Sequence, residues 1–129
     1  MRQPRILLID DEEEFVQTLV ERLEFRDISA KGVITGKEAL KCLEQEHFDV
    51  VVVDLKMPEI DGIQVKRIVE RDYPGTRVIL VTGHGRQEPQ EGFNPEIDED
   101  ILMKPFGIRA LLGRIQSVVQ NREAKSGKE

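Results

Sequence analysis

A single cysteine, Cys42, in 129 residues leaves nothing to form an internal disulfide and no thiolate set for a multi-cysteine metal site. Long apolar runs are also missing. No stretch approaches the roughly 18 residues that a membrane-spanning helix needs, which excludes such a helix. Clustered positive charge is missing as well: Lys and Arg are scattered among acids, and the formal net charge is −6. That argues against nucleic acid as a direct partner, because phosphate backbones require grouped cations. The opening Met-Arg-Gln-Pro-Arg runs straight into a five-residue apolar segment. It lacks the longer apolar core and small-residue cleavage site of a secretion signal, so the cytoplasm is the expected compartment. No internal repeat or low-complexity segment is visible.

What is present is a single domain's worth of chain, with enough apolar residues (39%) to build a core. Short β-branched runs alternate with helical patterns. Arg5 to Ile9, Val50 to Val53 and Val78 to Val81 read as strands buried on both faces of a parallel sheet. Ile28 to Val33 predicts a weaker second strand, and Ile101 to Met103 a short fifth one. Between them, Phe15, Leu19, Val20 and Leu23 recur at helical spacing. Thr35 and Glu38 have the spacing of a capping box ahead of Ala39, Leu40 and Leu43. Ile63, Val65, Ile68 and Val69 mark a third helix, and Ile108, Leu111, Leu112, Ile115, Val118 and Val119 a final one. Cys42 reads as a small packing residue. His47 is expected at a helix end, where it complements the dipole. From Thr82 to Asp100 the chain carries Gly83, Gly85, Gly92, Pro89 and Pro95, which make a regular fourth helix costly. The expected fold is therefore α/β, a doubly wound five-stranded parallel sheet with an irregular or shortened fourth helix.

In such a sheet all strands end at one edge, where ligands bind. The residues following the apolar runs are Asp10 and Asp11, then Asp54, then Thr82, then Lys104 with Pro105. Each has an ordinary explanation alone: acids at a helix N-terminus, a loop cap, a solvated lysine. Together they gather three carboxylates, a hydroxyl and an ammonium. Close carboxylates repel by several kcal/mol per pair at an effective dielectric of about 20. Protonation or a cation must offset that, and an all-oxygen set with open positions suits Mg²⁺.

Four stretches carry a resemblance. Leu8-Ile9-Asp10-Asp11-Glu12, Val53 to Gly62 with its Asp54-Leu55-Lys56-Met57-Pro58, Val81-Thr82-Gly83-His84-Gly85, and Met103-Lys104-Pro105-Phe106 resemble the receiver domains of two-component response regulators. The likeness runs from about Arg5 to Val119. It implies a flavodoxin-like sheet of order 2-1-3-4-5, with a receiver domain over residues 1–121 and a fraying polar tail over 122–129. It further implies that Asp54 accepts a phosphoryl group from a sensor histidine kinase or phosphotransfer protein. Mg²⁺ would be held by Asp11, Asp54 and the backbone carbonyl of Lys56, with Asp10 acting through water. Lys104 and Thr82 would contact phosphoryl oxygens, and the Lys104–Pro105 peptide would be cis. Such a domain is a switch rather than a turnover enzyme. It is expected to be a monomer or a phosphorylation-dependent dimer acting on a downstream target the sequence does not identify.

Two departures stand out. The aromatic residue that the family usually places three positions before the lysine is Ile101 here, and the fourth helix is eroded. Lys56 and His84 stand where the family varies its phosphate lifetime, and solvated side chains are the plainer reading of both. Other functions are conceivable. A Mg²⁺-dependent phosphohydrolase would want a second acid two residues after Asp54, where Lys56 stands. A flavodoxin-like cofactor binder would have its phosphate repelled by Asp10-Asp11-Glu12. An interaction module that no longer cycles phosphate efficiently is motivated by Ile101 and the irregular 82–100 stretch. No output segment follows the last helix, which fits either a stand-alone regulator or part of a longer protein.

Overall fold

The computed structural model describes residues 3–83 and 100–127. Its inner strands form where apolar, largely β-branched residues are continuous: β1 (Ile6–Ile9), β3 (Val50–Asp54) and β4 (Arg77–Thr82), joined by edge strands β2 (Ala30–Val33) and β5 (Ile101–Met103). All pairings are parallel and the order is β2-β1-β3-β4-β5, as the sequence leads one to expect.

Side chains alternate across the sheet with the strand period of two. Ile6, Leu8, Val50, Val52, Ile79 and Val81 face one core, completed by helices α1 (Glu13–Phe25) and α4 (Ile108–Gly127). Leu7, Ile9, Val51, Val53, Val78 and Leu80 face the other, completed by α2 (Gly36–Gln45) and α3 (Gly62–Asp72). Cys42 is buried in this second core as a packing residue.

Four local details differ from the sequence reading. The second strand begins at Ala30 rather than Ile28, because Ile28 is used to end α1. The Ile28 N–H donates to the Leu23 carbonyl (3.0 Å) and the Asp27 N–H to the Glu24 carbonyl (2.9 Å), while Asp27 adopts φ 62°. That is a complete Schellman closure with a left-handed residue, and Ile28 packs in the same core as Leu23. The Thr35 hydroxyl caps α2 by accepting from the Glu38 N–H (3.1 Å), but the Glu38 carboxylate reaches the Ile34 N–H, so the box closes one residue early. His47 lies beyond the end of α2. Its Nε2 pairs with Asp49 at 3.3 Å instead of meeting helix carbonyls, because the chain turns toward β3 at Glu46. Finally, α4 keeps helical backbone through Gly127, past the point where the sequence turns polar; Arg122, Glu123, Ala124 and Lys125 are all good helix formers. The irregular stretch expected after Thr82, including His84, lies largely outside the described residues.

Candidate functional site

Asp10 follows β1, Asp54 ends β3, and Lys104 follows β5, so the parallel sheet delivers all three to its carboxyl edge. Asp11 begins the turn into α1. Ligand oxygens of Asp10, Asp11 and Asp54 lie within 4.8 Å of one another, with Asp10 and Asp54 buried and Asp11 exposed. Hard oxygen donors at this spacing, partly open to solvent, can hold a divalent cation.

Backbone amides fix two of the carboxylates. The Glu12 N–H donates to Asp10 Oδ1 (2.9 Å), and the Lys56 N–H donates to Asp54 Oδ1 (3.0 Å). Each strand-end aspartate thus turns the next residues back over itself in an Asx-type bond. The Asp54 backbone is fixed from below as well. A methyl group at Gly62 would stand 2.5 Å from the Asp54 carbonyl oxygen and 2.9 Å from Leu55 Cα. Only glycine lets the start of α3 approach the strand end this closely. Asp61 and Gln64 then close a full capping box at 3.0 and 3.1 Å. The D-x-x-Q spacing was available in the sequence as its signal.

Lys104 brings a cation into this cluster. Its Nζ lies 2.8 Å from Asp10, 2.5 Å from Glu12 and 3.3 Å from Asp54. The Lys104–Pro105 peptide is cis. The ammonium also sits 4.6 Å from the centre of the Phe15 ring, a cation–π contact, and Phe15 meets Phe106 edge to face at 5.4 Å. Glu12 and Phe15 therefore close on the lysine, and Phe106 backs the Phe15 ring. Sequence reasoning gave Glu12 no role here and treated Phe15 as core alone.

The charges respond to this crowding. Burial, reinforced by the Asp54 charge, raises the Asp10 carboxyl above its ordinary value even though Lys104 and the Glu12 amide pull it down. The Lys104 hydrogen bond pulls Glu12 the other way, below the usual range. Burial by itself would depress Lys104, but its bonds to Asp10 and Glu12 and the charges of Asp10 and Asp54 outweigh that and hold it above the ordinary lysine range. The ammonium is thus fixed as a cation.

Thr82 closes β4 in register with Met103, and its carbonyl accepts from the Lys104 N–H at 2.9 Å. That bond ties the hydroxyl-bearing residue to the lysine's backbone. An open groove of about 430 Å³ adjoins the loop after Asp54, lined by Leu55, Lys56, Met57, Pro58, Asp61 and Ile63. Ile101 is fully buried.

Residues 6–116 match the response regulator receiver domain family. The chain belongs to that family. Among curated proteins it is 28% identical over 123 residues to the heme response regulator HssR of Staphylococcus aureus, covering 95% of this chain and 54% of HssR. The chain thus spans about half the length of the curated relatives it matches. Among solved structures, a Francisella response regulator 1452 receiver domain is 27% identical with TM-score 0.75, covering 92% of this chain and 98% of that one. A CheY-like receiver domain from Methanospirillum hungatei is 25% identical with TM-score 0.79, covering 96% of this chain and 99% of that one. As a receiver domain of the two-component class, the chain has an acidic pocket able to hold a metal, and no described helix is long and apolar enough to cross a membrane.

Proposed function

We propose that this receiver domain takes a phosphoryl group onto Asp54 from a sensor histidine kinase or phosphotransfer protein and passes the resulting conformational change to a downstream target. The observation that carries the reading is the placement of the Asp54 carboxylate, 3.3 Å from the Lys104 ammonium and within an acidic set that includes Asp11. A carboxylate alone is a poor acceptor for an anionic donor, and these neighbours supply what it lacks.

Asp11 and Asp54, with the Lys56 carbonyl, would hold Mg²⁺ directly, and Asp10 through water. When bound, that ion offsets charge on the transferring group and lets an anionic nucleophile meet it. An Asp54 Oδ forms the new O–P bond while the P–N bond to the donor imidazole breaks, the electron pair staying on nitrogen. Lys104 donates to one phosphoryl oxygen and the Thr82 hydroxyl to another. This is positioning and electrostatics, with no turnover of a separate substrate. With Ile101 in place of an aromatic, the response runs through Thr82 and the backbone bond that links it to Lys104. The setting proposed is cytoplasmic, as a monomer or a phosphorylation-dependent dimer.

Incubation with Mg²⁺ and a small acyl phosphate tests this. The expected result is a gain of one phosphoryl group, stable in acid and labile in base, and absent in Asp54→Ala. Turnover of phosphoesters, or no labelling, would overturn it.

A further inference from the structure

The Lys104 ammonium has three N–H donors and three carboxylate acceptors around it. Asp10 lies at 2.8 Å, Glu12 at 2.5 Å and Asp54 at 3.3 Å. Every donor is engaged, so a phosphoryl oxygen can be received only if one carboxylate lets go. Asp10 is buried and pinned by the Glu12 amide, and Asp54 is the acceptor itself. Glu12 differs. Its side chain is 65% exposed, and among the described residues Lys104 is its one side-chain partner. Swinging into water costs an exposed glutamate little, since such ion pairs are weak.

We propose that Glu12 is a displaceable counter-ion, a positioning residue that holds Lys104 until a phosphoryl oxygen replaces it, and so limits how readily Asp54 is phosphorylated. The inference rests on the phosphoacceptor reading above. Glu12 keeps the ammonium over the acidic set in the resting state, and its carboxylate competes for the donor that the incoming group needs.

The test is the rate of Mg²⁺-dependent labelling by acetyl phosphate at saturating Mg²⁺, in the wild-type chain, Glu12→Gln and Glu12→Asp. Both variants are expected to label about two- to fivefold faster, the size an exposed pair commands. Glu12→Asp keeps the charge but is one methylene too short, so its agreement with Glu12→Gln separates the contact from general repulsion. The gain should vanish in about 1 M salt, where the screening length falls to about 3 Å. A readout free of phosphate accompanies this: without metal, the thermal shifts of Glu12→Gln and Lys104→Met should fail to add in the double variant. A wild-type chain that labels, with Glu12→Gln no faster, overturns this inference alone. Additive thermal shifts also overturn it. A wild-type chain that takes no label overturns the phosphoacceptor reading with it.

Discussion

Asp49 and Asp54 bracket the same strand, both are buried, and they are treated in opposite ways. Asp49, 2% exposed, stands just before β3 at the amino edge of the sheet, where its Oδ2 accepts from the Arg5 N–H at 2.8 Å and its Oδ1 meets His47 at 3.3 Å. Around it, the Thr76 hydroxyl donates to the Phe48 carbonyl at 2.7 Å, and Arg5 and Lys31 share Glu46 at 2.6 and 2.9 Å. Each acid there has donors enough. Asp54, 9% exposed at the carboxyl edge, shares one lysine with two other acids and has Asp11 beside it. A buried carboxylate with its own donors closes a structure; one crowded by like charges keeps a site ready for a cation.

The largest expected effect breaks the comparison at the carboxyl edge. A divalent ion that binds only the folded chain should stabilise it by about 2.7 kcal/mol at a hundredfold excess over its Kd. Thermal or urea denaturation with and without Mg²⁺ measures this. Asp11→Asn should remove most of the gain. If the Mg²⁺ effect survives in Asp11→Asn, the acidic set is not the ion's seat.

Next in size comes the amino edge. Asp49→Ala leaves the Arg5 N–H and its neighbours without their acceptor, and should cost about 1–3 kcal/mol. The loss should be the same with and without Mg²⁺. Asp54→Asn should do the reverse in metal-free buffer: removing one of the crowded charges should raise stability by about 1 kcal/mol, even though a contact to Lys104 weakens. Equal losses at the two positions, by metal-free urea denaturation, would erase the contrast between them.

Much of this arrangement was legible in the sequence because the sheet is parallel and buried on both faces. Val50 to Val53 could only be an inner strand, and once β1, β3 and β5 run the same way, Asp10, Asp54 and Lys104 must share an edge. What the sequence hid depends on side-chain reach and on local turns. Nothing in the order of residues says that Glu12 and Phe15 close on Lys104, because they sit 92 and 89 positions away and reach it only through the fold. The pairing of His47 with Asp49 is hidden for a similar reason, since helix stops are legible in a sequence only to within a residue or two. Ile28 looked like strand because a β-branched residue at a Schellman closure has the same hydrophobic signal as one in a ladder. Left-handed backbone at Asp27 and Glu59 was invisible for want of a glycine to announce it.

Those two residues give the smallest and sharpest test of the comparison. Asp27 (φ 62°) ends α1 and feeds β2 at the amino edge, while Glu59 (φ 68°) lies in the loop between Asp54 and α3 at the carboxyl edge. A left-handed residue with a side chain costs about 1–2 kcal/mol, and glycine recovers this less the entropy it adds to the unfolded chain. Glu59→Gly should therefore stabilise by about 0.5–1 kcal/mol. Asp27→Gly should give only about a few tenths, because Asp tolerates this region better than Glu and its turn is already closed by two hydrogen bonds. Urea midpoints for the two variants measure the difference. A larger gain at Asp27 than at Glu59 would mean that the strain lies in the structural turn, and that the loop beside Asp54 holds its left-handed residue at no cost.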